Sequence, residues 1–129
     1  MKRILVLDDD ETILYTLEDA LNALNYEVRT LKEPHKLFSI ICDFQPDVLL
    51  LDFMLSNSNG GAICHQIKTN PEFSCLPIIM MSGYDDVHEL SEKAGTDAFI
   101  KKPFDLSELD DKISSCLSRR SGDIFKELT

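Results

Sequence analysis

Residues 48–52 read Val48-Leu49-Leu50-Leu51-Asp52, four apolar residues closed by a single acid. A run this short and continuous marks a strand covered on both faces, as the strands of a parallel sheet are. The signature recurs on either side. Ile4-Leu5-Val6-Leu7 comes earlier and runs into Asp8-Asp9-Asp10. Residues 76–81 come later and run into Ser82-Gly83, and Ala98-Phe99-Ile100 leads to Lys102-Pro103. Residues 26–30 supply one further strand. Helical patterns fill the intervals. Residues 11–24 carry Ile13, Leu14, Leu17, Ala20, Leu21 and Leu24 on one face. Pro34 opens a helix striped by Leu37, Phe38, Ile41 and Phe44. Residues 62–69 form a short helix stopped by Pro71, and Asp85 caps one that closes at Gly95. Asp105 caps the last, with Glu108 as capping-box partner and a stripe of Leu106, Leu109, Ile113, Cys116 and Leu117. Five strands alternating with five helices predict an α/β fold, a parallel sheet wound on both faces.

Composition narrows the function classes. The chain has 129 residues, 43% apolar and 28% charged, which is one globular domain's worth. Asp and Glu number 23 against 13 Lys and Arg, a formal charge of -10. A basic groove for nucleic acid and attraction to anionic membranes are both therefore disfavoured. No apolar run approaches the ~18–20 residues of a transmembrane helix. Met1-Lys2-Arg3 and the four apolar residues after it are too short for a signal peptide, and Asp8 interrupts them. Cys42, Cys64, Cys75 and Cys116 show no metal-ligand spacing. They are expected as reduced thiols, packed as small hydrophobes in a cytoplasmic protein.

In such sheets functional groups gather beyond the carboxyl ends of the strands. There stand Asp8, Asp9 and Asp10, then Asp52, then Ser82-Gly83, then Lys102. Singly, each has a bland role as cap, turn or solvated loop residue. Jointly, they put several carboxylates, a hydroxyl and an ammonium into one crevice. Crowded carboxylates either rise in pKa or take up a cation. With no His or Cys nearby the cation is a hard one, and Mg2+ fits best. That chemistry suits phosphoryl transfer to a carboxylate. Asp52 is the candidate nucleophile, Lys102 the ammonium and Ser82 the hydroxyl, with Gly83 leaving room for the incoming group.

At these residues the sequence resembles the receiver domain of two-component response regulators. The matching pieces are the run from Ile4 to Asp10, Pro46-Asp47 through Leu55, Leu76 to Gly83, and Ala94 to Phe104. The resemblance implies a receiver over residues 1–118, with 119–129 a C-terminal helix extension or linker. It implies a doubly wound, flavodoxin-like sheet of strand order 2-1-3-4-5. Asp52 would accept phosphate from a sensor histidine kinase or phosphotransfer protein. Asp9 and Asp52 would bind Mg2+ directly, Asp8 largely through water, and the Met54 carbonyl would complete the set. Lys102 would contact the phosphoryl group beside what is usually a cis Lys102-Pro103 bond. Ser82 would swing toward the phosphate and Phe99 follow it, switching the surface of the fourth helix, fifth strand and fifth helix. The output would be a protein partner or second domain, with a phosphorylation-dependent homodimer as one form. The chain would be a signalling switch acting on itself, not an enzyme on external substrates.

Two departures from the family pattern stand in the loop after Asp52, which has Ser56 where Pro is usual and Asn59 where Asp is usual. Loss of that Pro predicts a looser loop around Met54. Met54 and Tyr84 occupy positions that tune phosphate lifetime in the family. His35, His65 and His88 fall on different helices and read as surface residues. One rival is an enzyme. Asp8-Asp9-Asp10-Glu11-Thr12 also fits the opening of haloacid-dehalogenase-like phosphatases, with Asp8 as nucleophile and Asp10 as acid/base. A flavin-binding protein is disfavoured by three aspartates where a phosphate loop belongs. A receiver-like module that binds partners without phosphorylation ranks below both, since every expected site residue is present.

Overall fold

A computed structural model of the chain describes residues 1–84, 92 and 94–128, with only the backbone course of 120–128. The elements are β1 (Arg3–Leu7), α1 (Glu11–Ala23), β2 (Glu27–Leu31), α2 (Leu37–Phe44), β3 (Val48–Asp52), β4 (Met54–Leu55), β5 (Ser58–Asn59), α3 (Gly60–Lys68), β6 (Ile78–Ser82) and β7 (Ala98–Lys101). A C-terminal helix spans Leu106–Leu128. The main sheet has the order β2-β1-β3-β6-β7, parallel throughout. This is the expected 2-1-3-4-5 once the small β4-β5 ribbon is set aside. Four α-helices are found among the described residues. The helix expected over 85–95 lies outside them, apart from its end. There the Gly95 N–H donates to the Glu92 carbonyl at 3.1 Å and φ is +92°, which suits glycine.

The sheet separates two cores. Leu5, Leu7, Leu49, Leu51, Ile78 and Met80 face one way, against Leu37, Ile41 and Phe44 of α2 and Ile63, Cys64 and Ile67 of α3. Ile4, Val6, Val48, Leu50, Ile79 and Met81 face the other, against Leu14, Leu17 and Leu21 of α1 and Leu109, Ile113 and Cys116 of the C-terminal helix. Alternate residues of a strand point to opposite faces, so a strand apolar throughout must be roofed on both sides. All five residues of β3 and of β6 are buried. Each fully buried aliphatic contributes roughly 1.5–3 kcal/mol, which fixes the strands whose ends carry the site.

Local chemistry sets the boundaries. Asp10 caps α1, its carboxylate accepting from the Thr12 N–H at 2.9 Å and the Ile13 N–H at 3.4 Å. The Glu108 N–H donates to Asp105 at 2.7 Å, as expected of the last cap. α3 starts two residues before the expected Ala62, because Asn59 caps it by accepting from Gly61 and Ala62. Pro34–Lys36 form a 3-10 turn leading into α2. β2 and β6 sit slightly later in sequence than periodicity placed them. Lys68 holds the approach to β6, donating to the Leu76 carbonyl at 2.8 Å and to Asp97 at 2.7 Å.

The cysteine expectation is half right. All four thiols are free and Cys64 and Cys116 are buried, but Cys42 and Cys75 are exposed. Cys42 lies on the outer face of α2, and Cys75 lies in the turn before β6, where no layer covers it. His35 and His65 are exposed as expected, while His88 lies outside the described residues.

Candidate functional site

Four strand ends deliver the site. β1 ends at Leu7, so Asp8 and Asp9 stand at its carboxyl edge. β3 ends on Asp52 itself, paired in register with Met81. Ser82, the last residue of β6, pairs with Lys101 of β7, which puts Lys102 one step beyond. Asp8, Asp52 and Ser82 are the buried polar residues of the described chain, at 1%, 6% and 1% exposure. One carboxylate oxygen from each of Asp8, Asp9 and Asp52 lies within 4.8 Å of the others.

Lys102 is the cation of this cluster. Its Nζ donates to Asp8 Oδ2 at 2.8 Å and to Asp52 Oδ1 at 3.2 Å. One ammonium against three carboxylates leaves negative charge in excess. Burial, then the Asp8 charge, push the Asp52 carboxyl up to about 6, against the pull of Lys102. Burial works against the Lys102 ammonium, but its hydrogen bond to Asp8 and the charges of Asp52 and Asp8 outweigh that, and its pKa rises. The charge of the buried acid at the end of β3 is thus held at a cost, and a divalent cation would relieve it. All-oxygen donors with a shared open edge fit Mg2+. The residues present can therefore hold a metal ion.

The remaining expected residues are placed as follows. Ser82 Oγ accepts from the Tyr84 N–H at 3.1 Å, and its carbonyl accepts from the Lys102 N–H at 2.7 Å. The Lys102-Pro103 bond is cis. Met54 follows Asp52 by two residues in the β4-β5 ribbon, and its side chain is 55% exposed. Phe99 is partly buried at the margin of the core beneath α2 and α3. A Cβ at Gly83 would meet no atom within 4 Å, so the backbone path, not the missing side chain, keeps that corner open. Asp10 does not join the cluster, because its carboxylate is committed to the α1 cap. The phosphatase reading therefore loses its acid/base and leaves Asp52 without a task.

Two residues escape sequence reasoning. Ser56 Oγ donates to Asp9 Oδ2 at 2.5 Å, across 47 positions of chain. Gly60 lies against the acceptor strand: a Cβ there would sit 2.4 Å from the Asp52 carbonyl oxygen, and its N–H donates to the Phe53 carbonyl at 2.8 Å. The loop after Asp52 contains a short antiparallel ribbon, Met54 opposite Asn59 and Leu55 opposite Ser58, with Leu55 buried.

A doubly wound sheet with an acid crevice at its carboxyl edge, one lysine across it and a hydroxyl beside it, defines a phosphoacceptor signalling module. The chain belongs to the response regulator receiver domain family, whose model matches residues 4–114. It is 39% identical over 123 residues to the nisin biosynthesis regulatory protein NisR of Lactococcus lactis, covering 91% of this chain and 51% of that protein. It is 29% identical over 132 residues to the transcriptional regulatory protein GltR of Pseudomonas aeruginosa, covering 96% of this chain and 54% of that one. Among solved structures, a response regulator receiver domain protein from Methanospirillum hungatei superposes with a TM-score of 0.86 at 27% identity, covering 95% of this chain and 98% of that one. The chain spans about half the length of the curated relatives it matches. No helix among the described residues is long and apolar enough to cross a membrane.

Proposed function

We propose that Asp52 is the phosphoacceptor and that the domain is switched by its phosphorylation. A carboxylate oxygen of Asp52 attacks the phosphorus of a phosphohistidine on a sensor histidine kinase or phosphotransfer protein. The new P–O bond forms as the P–N bond breaks, and the imidazole leaves with the electron pair. Asp9 and Asp52, with the backbone carbonyl of Met54 and with Asp8 largely through water, would hold Mg2+, which would supply positive charge to offset that on the transferring group. Lys102, already bonded to Asp52, follows an equatorial oxygen, and the Ser82 hydroxyl takes another. Ser82 and Phe99 then carry the change toward the β7 side of the molecule. The chemistry is confined to the domain itself, so the protein is a switch and not a turnover enzyme. Its output is a downstream protein or a joined domain, with a phosphorylation-dependent homodimer as one route. We assign 1–118 to the receiver and 119–129 to a helical extension, in a cytoplasmic protein with no direct nucleic-acid or membrane contact.

The observation that carries this reading is the meeting of Asp52 with Asp8, Asp9 and Lys102 at one buried edge. The test is intact-mass measurement after incubation with acetyl phosphate and Mg2+. Wild type should gain one phosphoryl group and Asp52→Asn none. A gain that persists in Asp52→Asn and vanishes in Asp8→Asn would transfer the role to Asp8. No gain in wild type would make the domain a non-phosphorylated binding module.

A further inference from the structure

We infer that Ser56 is a positioning residue for the metal site, fixing the Asp9 carboxylate for the cation. The inference rests on the metal assignment above and goes beyond it. Asp8 and Asp52 are buried and each receives a hydrogen bond from Lys102. Asp9 is only half-buried, and its described side-chain bond comes from Ser56 Oγ to Oδ2 at 2.5 Å. An O–H···O⁻ contact this short lies in the charge-assisted range, roughly 2.5–2.7 Å. One oxygen of Asp9, Oδ2, is thereby engaged, in a carboxylate that has an oxygen within 4.8 Å of those of Asp8 and Asp52.

The donor stands on a firm base. Ser56 and Asn57 form the two-residue turn between β4 and β5, whose register pairs Leu55 with Ser58. Leu55 reaches the core, and Asn59 at the other end of the ribbon caps α3. The Ser56 hydroxyl is therefore presented from an anchored ribbon. Outer partners of this kind orient a ligand before the metal arrives, and their loss costs roughly 10–100-fold in affinity.

The test is calorimetric titration of the unphosphorylated domain with MgCl2, which needs no phosphoryl transfer. Ser56→Ala should weaken Mg2+ binding about 10-fold, and Ser56→Thr, which keeps the hydroxyl, should stay within ~2-fold of wild type. Ser56→Pro stiffens the turn without a donor and should bind as weakly as Ser56→Ala. In an Asp9→Asn background, Ser56→Ala should change little further, because the two act through one carboxylate. Ser56→Ala binding at wild-type strength or tighter would overturn the inference, as would full affinity in Ser56→Pro, which would credit turn stiffness alone. A wild type that binds no Mg2+ removes the site assignment as well, whereas an indifferent Ser56→Ala beside a binding wild type removes this inference only.

Discussion

Asp52→Asn removes a charge that burial disfavours and keeps the side chain's shape. The Asp52 carboxyl stands at about 6 against its usual 3.8. A gap of about two pKa units, at ~1.4 kcal/mol each, is about 3 kcal/mol. The Asp52 side chain is only 8% exposed, so solvent screening takes little from that figure. The sign follows from proton counting. Between about pH 4 and about pH 6 the native state keeps a proton that the unfolded chain has lost, so stability falls as pH rises through that window. Above it the penalty is complete, and Asn does not carry it. Asp52→Asn should therefore be more stable than wild type by about 3 kcal/mol near pH 8, with the advantage shrinking toward zero by about pH 4. The assay is urea unfolding in EDTA across this range. Added Mg2+ should narrow the gap, because the ion stabilises the wild-type carboxylate. A variant no more stable than wild type near pH 8, or an advantage unchanged on acidification, would refute the crowding argument.

Two further outcomes follow from the geometry. Gly60→Ala drives a Cβ to 2.4 Å from the Asp52 carbonyl oxygen, so either α3 or the acceptor strand must shift. The expected loss is about 1–3 kcal/mol in unfolding free energy together with slower phosphorylation by acetyl phosphate, both read on the same protein. Lys102→Ala leaves Asp8 and Asp52 without their ammonium, so thermal stability in EDTA should fall. Mg2+ should then restore more stability than it adds to wild type, as differential melts with and without the ion would show.

Much of this was legible in the sequence because the decisive segments were extreme. β3 and β6 are buried residue for residue, and unbroken apolar runs leave little else to read. Asp52 was legible for the same reason, since it is the acid that closes β3, and Lys102 because it stands just past the short apolar run of β7. What was not legible depended on approach between distant segments. Ser56 looked like turn chemistry, and only the fold brings it to Asp9. Gly60 looked like a loop residue, since glycine's low helix propensity hid the first turn of α3, and only the packing shows what its missing side chain allows. Cys42 and Cys75 misled because a thiol's apolar character says nothing about which side of a helix or turn it occupies.

The sheet also acts as a partition. Neighbouring residues such as Met80 and Met81 sit in different compartments, one beneath α2 and α3, the other beneath α1 and the C-terminal helix. A change of volume on one side therefore meets a different set of helices from a change on the other. The strands are the common wall of both compartments, and the acid edge belongs to that wall and to neither helical layer.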